Sequence, residues 1–542
     1  MKKKILSAVL GAVIAACSLA GCGVTNSNLK EPEKGLIQIS AFDGGYGLEW
    51  LQMAADEFMR LNSGKTVTIR TLNTNTDCTQ AHTNVKSGIY VGDILYDTVS
   101  VNTDAALGLY KDLGEVYDMK PDGEDGKTVK EKLSDDVLWA MKHWNGNYYS
   151  MPVFDGMYGF QYNKTSLDAI LGDGNWEVPR TTDELYALCG RVAATGNVPF
   201  IYTLDNEGYY PQFIINEFYY QLCGYENVRN ASIGMVNGER DMTGETLFEL
   251  EGRKEAVEDA ARFFDGRGQM TDGATVNGGL SFIQAQGYFW GVNVGQGTTG
   301  AGKTKLAAFM INGDWNYNET RASYGDTKNA DIRFMETPVS SKFVDLLDTL
   351  DDDEELSALV KAIDENASAI LGSAETVSTN TIIGDGYEVS KSDFMRVYEA
   401  RRICMTTLNQ QLLSVPANCG DFELVKEFLK FMASDTVQYY KAVCLNGVST
   451  PFNRNEFEGV TRNEFIKSKE DIVAKDAIVM TMLSQSPIPT FYSLAPKMVD
   501  APSRLYNGTF ADYAVSDAYK GTVTGAYRQA LEDNRNVLDL LK

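Results

Sequence analysis

The feature that most limits what this chain can fold into is a strand–loop–helix–strand order near its start. Gly35–Phe42 (GLIQISAF) is apolar and strand-like. Asp43-Gly44-Gly45-Tyr46-Gly47 follows, a loop that can turn sharply because glycine tolerates positive φ. Leu48–Leu61 then carries apolar residues at Leu48, Leu51, Ala55 and Phe58, close to the helical period. Lys65–Leu72 (KTVTIRTL) alternates as a strand, and Ile94–Val101 (ILYDTVSV) reads as another. This order predicts βαβ units around a mostly parallel sheet, hence an α/β class. A length of 542 residues suggests two to four domains at roughly 150 residues each.

Further along, Met151–Tyr162 (MPVFDGMYGFQY) reads as one aromatic strand-like segment, broken by Asn163-Lys164-Thr165-Ser166. Thr181–Ala193 reads as a helix after Pro179, Tyr288–Val294 as a strand, and Leu306–Ile311 as a strand ending in Asn312-Gly313-Asp314-Trp315. The acid run Asp351–Glu355 precedes Leu356, Leu359, Val360 and Ile363 at helical spacing. It reads as a solvated helix N-terminus, where acids suit the helix dipole. It lacks the alternating Asp/Asn-plus-Gly pattern of an EF-hand. Asn418–Ser434 is an amphipathic helix with Val425, Phe428, Leu429 and Met432 on one stripe and Asp421 as its N-cap. Ala501–Leu541 is largely helical in pattern.

Met1–Lys4 is basic, Ile5–Ala16 is apolar but shorter than the about 18 residues of a spanning helix, and small residues lead to Leu19-Ala20-Gly21-Cys22. The ending resembles the lipobox of bacterial lipoproteins. That resemblance implies cleavage before Cys22, diacylglycerol on its thiol and a polar tether over 22–34. The chain carries 74 acidic against 49 basic residues, a formal net charge of −25. This argues against sequence-independent binding to nucleic acid. With only His82 and His143, most His-based metal sites and Ser-His-Asp chemistry have little to build from. The body cysteines Cys78, Cys189, Cys223, Cys404, Cys419 and Cys444 form no CxxC pair, which leaves buried thiols and disulfides both open.

Gly297–Thr304 (GTTGAGKT) matches the P-loop pattern literally, and Gly295–Gly300 matches G-x-G-x-x-G. A P-loop needs a helix after its lysine. Here Leu306–Ile311 reads as a strand, so the favoured reading is a glycine-rich loop between strands. No HExxH or GxSxG occurs. A binding constellation remains. Aromatics sit beside Asp, Asn or Gly at Asp43/Tyr46, Asp155/Tyr158, Tyr209/Tyr210, Trp290 and Asp314/Trp315/Tyr317. Sugars offer apolar C–H faces to aromatic planes and hydroxyl rims to carboxylates.

Four segments carry a family resemblance. They are the strand–loop–helix Ile37–Leu61; Met151-Pro152 with Tyr162-Asn163-Lys164 and Pro179-Arg180-Thr181-Thr182-Asp183-Glu184-Leu185; Leu306–Trp315 with its Asn-Gly-Asp-Trp; and Val415–Asn418 with the Lys426-Glu427-Phe428-Leu429 helix. Together they resemble the extracellular solute-binding proteins of carbohydrate ABC importers, the family 1 group that includes maltose-binding protein. The glycine-rich stretch 291–303 and the segment 339–403 depart from the family pattern.

The resemblance implies a two-lobed periplasmic-binding-protein fold of type II, with a ligand cleft between lobes joined by hinge segments. Lobe 1 would comprise 35–152 and 404–446, lobe 2 would comprise 153–338 and 447–542, and 339–403 would be an acidic helical insertion. Trp315 and Tyr317 would line the cleft from lobe 2 and the Asp43–Tyr46 loop from lobe 1. The expected ligand-facing set is Asp43, Tyr46, Asp104, Asp155, Tyr158, Tyr210, Trp290, Asp314, Trp315 and Tyr317. The expected protein is a non-enzymatic, lipid-anchored monomer without cofactor or metal. It would pass a mono- or oligosaccharide to ABC permease subunits. An anchored glycan-degrading enzyme using paired carboxylates stays open. So does the same receptor for a peptide, polyamine or osmolyte.

Overall fold

The computed structural model describes residues 29–121, 126–143, 145–202, 209–231, 234–264, 280–292, 299–325, 330–373, 380–383, 387–406, 411–446, 450–452, 457–474, 478–481 and 509–533. The chain divides into two units: Met1–Val153 with Gln410–Val460, and Phe154–Asn409 with Thr461–Lys542. Their main strands in chain order are β1 (Leu36–Phe42), β2 (Thr66–Leu72), β3 (Ile94–Asp97), β4 (Ser150–Pro152), β5 (Met157–Asn163), β6 (Val198–Ile201), β7 (Ala307–Gly313), β8 (Ile332–Phe334), β9 (Ile403–Thr406), β10 (Leu412–Ser414) and β11 (Ile478–Thr481).

The first unit is built on a sheet of order β2-β1-β3-β10-β4. Strands β1, β2 and β3 are parallel, with Ile39 opposite both Ile69 and Ile94. Strand β10 runs against β3 and β4. The helix Glu49–Leu61 buries Trp50, Leu51, Ala54, Ala55 and Phe58. Phe58 meets Phe428 edge-on at 5.1 Å, which joins it to the helix Phe422–Met432. That second helix begins where sequence places it. The Asp421 carboxylate accepts from Leu424 N at 3.2 Å and from Gly35 N at 3.0 Å, satisfying a first-turn donor that would otherwise be orphaned. Each fully buried Leu or Phe here contributes about 1.5–3 kcal/mol over exposure.

The second unit holds a sheet of order β11-β9-β5-β7-β6, with β8 also pairing β5. Strand β5 runs against β7, β8 and β9, whereas β6 is parallel to β7 and β11 to β9. Every residue of β5 and β7 is buried, as expected of strands covered on both faces. Phe263 gathers Phe160, Phe200 and Phe218 at 5.6, 5.5 and 5.8 Å. The helix Thr182–Ala193 is capped by Thr181, whose hydroxyl accepts from Glu184 N at 3.2 Å.

Several sequence expectations need correction. Residues 404–409 belong to the second unit and 447–460 to the first, because β9 hydrogen-bonds β5 and β11. Met151–Tyr162 is two strands in two sheets, β4 and β5, since the chain passes from one unit to the other at Val153–Phe154. Strand β3 stops at Asp97, whose carboxylate accepts from Val99 N at 2.8 Å and turns the chain. Within Tyr288–Val294, the first residues end the helix Phe282–Phe289 rather than forming a strand; Ser281 and Gln284 make a capping box that starts it. The acid run opens the helix Asp353–Ser373. Segment 339–403 is tied into the second unit: Ser340 Oγ donates to Asp259 Oδ2 at 2.5 Å, and Arg401 pairs with Glu336 and Asp364 at 2.8 and 2.9 Å. Parts of 501–541 form the helices Phe510–Ala514 and Asp517–Asp533, and 501–508 lie outside the described residues.

Candidate functional site

In the second unit the ends of four chain segments come together: the carboxyl ends of β7 and β9, the approach to β5, and the helix Glu464–Val473. Register places Tyr158 opposite Gly313 and Met157 opposite Thr406. Asp314 and Trp315 therefore emerge beside Asp155 and Gly156. The Asp314 N–H donates to Met157 O at 2.9 Å. Loops beyond strand carboxyl ends are where open α/β sheets take ligands.

Trp315 is 8% exposed. Its indole folds back over Gly313, where an added Cβ would stand 2.1 Å from the ring. The glycine of the Asn-Gly-Asp-Trp stretch is thus a seat for the tryptophan. Phe213, on the helix Tyr209–Cys223, stacks on Tyr158 at 3.8 Å and meets Trp315 edge-on at 6.3 Å. Asp155 is half-buried. Its Oδ1 accepts from the Thr406 hydroxyl at 3.1 Å. Among the described residues no hydrogen bond reaches its Oδ2. Burial raises its carboxyl pKa, opposed by Lys469 and the Thr406 hydroxyl.

Asp155, Tyr158, Asp314 and Trp315 are therefore brought together, in differing roles. Asp314 is fully buried and ion-paired with Lys469 at 2.5 Å, so it holds the turn and has no oxygen at the surface for a solute. Tyr158 is likewise fully buried and supports Phe213. Trp290 and Tyr317 stand elsewhere. Trp290 belongs to the core with Phe465, Phe334 and Met310, and Tyr317 packs on that cluster. The Trp290 Nε1–H donates to Asn316 Oδ1 at 3.2 Å. An apolar helix end at Ser281–Trp290 needs covering, and Trp290 does it. Tyr210 lies in the first turn of its helix, and its side chain is outside the described residues.

In the first unit Asp43 continues from β1, its N–H bonded to Leu72 O at 2.9 Å. Its side chain is exposed, although neighbouring atoms desolvate the carboxyl enough to raise its pKa. Tyr46 is only 3% exposed, a core residue under the Gly44–Gly47 turn. Gly44 is needed there, since a Cβ would lie 2.3 Å from the Phe42 ring. Asp104 is buried and paired with Lys86 at 3.2 Å. Of the three, Asp43 alone presents a carboxylate to solvent.

The other motifs resolve structurally. Within GTTGAGKT the described part is a turn, with Thr299 N bonded to Lys303 O at 2.7 Å and Gly302 N to Thr299 O at 2.8 Å. Strand β7 follows it, not a helix, so no helix N-terminus faces a phosphate there. His82 bridges Asp97 at 3.0 Å and the Tyr110 hydroxyl at 2.6 Å, both buried. Burial lowers the His143 pKa. All six body cysteines are free thiols.

Sequence reasoning missed Lys469, Thr406 and Phe213. Lys469 left a signal: it falls among Phe465, Ile466 and Ile472 on the apolar stripe of its helix, where a solvated lysine does not belong.

No family model and no curated protein matches the sequence. Solved structures do match in fold. The GacH receptor of Streptomyces glaucescens, known with acarbose bound, is 16% identical, with 92% of this chain and 98% of that one covered and a TM-score of 0.55. The bacterial solute receptor AcbH, described with an exclusive preference for β-D-galactopyranose, is 12% identical over 92% and 99%, with a TM-score of 0.56. A probable secreted solute-binding lipoprotein of Streptomyces coelicolor is 13% identical over 92% and 100%, also at 0.56. The fold is that of the two-lobed bacterial solute-binding receptors. The two units are its two lobes, and these neighbours are binding proteins rather than enzymes. In this fold Trp315 and Asp155 mark the carboxyl edge of one lobe's sheet and Asp43 that of the other.

Proposed function

We propose that this chain is an extracytoplasmic receptor, lipid-anchored through Cys22, that captures a mono- or oligosaccharide and delivers it to an ABC permease. The observation that carries the reading is an indole seated on Gly313 and a half-buried Asp155 carboxylate at the same strand-end edge, in a fold whose neighbours bind sugars. The indole would cover an apolar sugar face, and the carboxylate would accept hydroxyl protons. No bond is made or broken, so the protein works by affinity alone.

The test is thermal unfolding of the purified protein with D-galactose, raffinose, chito-oligosaccharide and acarbose in turn, with ATP and magnesium as a control. A ligand that binds only the folded state raises stability by RT ln(1 + [L]/Kd). A concentration-dependent rise with one sugar class and no released product supports the receptor. Turnover of a glycan, or a shift with ATP alone, overturns it.

A further inference from the structure

A lysine is buried beneath the proposed sugar edge, and its partners are the two segments that form that edge. Lys469 is 1% exposed and Asp314 is fully buried. The Lys469 ammonium donates to Asp314 Oδ2 at 2.5 Å and to the backbone carbonyl of Asp155 at 3.0 Å. Thr406 adds a tie from β9: its hydroxyl lies 3.1 Å from Asp155 Oδ1 and 2.9 Å from Gly156 O.

From this geometry we infer that Lys469 is a positioning residue for solute capture: it fixes the Gly313–Trp315 turn against the Asp155 segment, setting the indole and the carboxylate in one arrangement. The inference rests on the receptor reading for its consequence, but its geometry is independent of it. A lone buried carboxylate is costly, and an apolar residue in place of its partner leaves Asp314 uncompensated. Loss of the ammonium also removes the bonds that tie this turn to the Asp155 carbonyl, so the turn opens whatever the charge on residue 314. Trp315 is attached to that turn and seated on Gly313, so it leaves its place as the turn opens. Nothing on the surface of Lys469 touches a solute; it acts through Asp314 and the Asp155 carbonyl.

The test uses acrylamide quenching of Trp315 fluorescence, isolated by subtracting the signal of matched Trp315→Phe proteins. No sugar is needed, so failure of the sugar panel and failure of this inference are separable. In the unaltered protein the Trp315 signal is expected to be weakly quenched, since the residue is 8% exposed. Lys469→Met is expected to raise its quenching constant severalfold. A second variant, Lys469→Met with Asp314→Asn, removes both charges and keeps the test informative if the single variant folds poorly. A positioning role predicts that this pair recovers the melting temperature while Trp315 stays readily quenched. Recovery of both, or a folded Lys469→Met protein with native quenching, would overturn the proposal and leave Lys469 as a stabilising ion pair only.

Discussion

At the scale of single residues, the proposed sugar edge depends on a ring and on what lies beneath it. Trp315→Ala removes the apolar platform but leaves the Lys469–Asp314 tie intact. A central aromatic anchor is typically worth about 2 kcal/mol or more, near thirtyfold in Kd. Calorimetric titration with the sugar that best raises the melting temperature should show at least that loss, in a protein that still folds but melts lower, because the ring is 8% exposed and truncating a buried aromatic costs about 3–5 kcal/mol. Unaltered affinity would remove Trp315 from the site. Glu217 makes a prediction about pH. It is fully buried, its Oε2 accepts from the Thr337 hydroxyl, and burial pushes its pKa up to about 8 from an ordinary 4.5. The folded protein thus keeps a proton that the unfolded chain releases. Its stabilising contribution is complete below pH 4.5 and is lost as pH rises through about 8. Glu217→Gln should flatten that fall, narrowing the difference in melting temperature between pH 5 and pH 8.5; an unchanged profile would show that another group controls it. Part of the proposed edge was legible at this scale. Asp155 and Trp315 stood out as an acid and an aromatic next to glycine. Tyr46, Asp104 and Trp290 share the same local pattern yet are core residues, because a short motif cannot say which face of a strand end it closes. Asp314 was found with the wrong role, since its partner Lys469 lies far along the chain.

At the scale of elements, the sequence was readable wherever periodicity and capping agree. The helix Phe422–Met432 is the clearest case: an apolar stripe, a charged opposite face and an N-capping aspartate all point to the same start. Asp421 also holds Gly35 at the entry to β1, so one carboxylate fastens a helix and a strand. Asp421→Ala should cost about 1 kcal/mol from the lost cap alone, a fall of roughly 2–4 °C for a unit of this size. Scanning calorimetry measures it, and a shift below one degree would mean that water replaces the cap. The readings that failed share a cause. Met151–Tyr162 is one apolar run, but the chain changes sheets within it, and hydrophobicity does not register a change of partner. Tyr288–Val294 is apolar enough for a strand, yet the capping box at Ser281 lies upstream of the window and starts a helix instead. Strand β9 was assigned to the other unit because its neighbours β5 and β11 are distant in sequence, and pairing is a long-range fact.

At the scale of the whole molecule, the proposed function assigns anchoring and capture to separate parts of the chain. Among the described residues no helix is long and apolar enough to cross a membrane. Attachment by the route proposed here therefore falls to Cys22, which lies outside the described residues. In this proposal the Leu-Ala-Gly-Cys ending is the acylation signal, and the polar sequence after it leads to Gly35. Each buried methylene of an acyl chain adds about 0.8 kcal/mol of membrane affinity, and two or more chains hold a protein stably at a bilayer. A chain with net charge −25 gains nothing from anionic lipid headgroups, so in this proposal the acyl chains supply the attachment. The expectation is sharp in a detergent phase separation. Protein from cells expressing the unaltered chain should partition into the detergent phase, and Cys22→Ser should move it wholly to the aqueous phase. The melting temperature and the response to sugar should stay as they were, because the first strand begins only at Leu36. Aqueous partitioning of the unaltered protein would refute lipid attachment, and it would leave the capture site untouched.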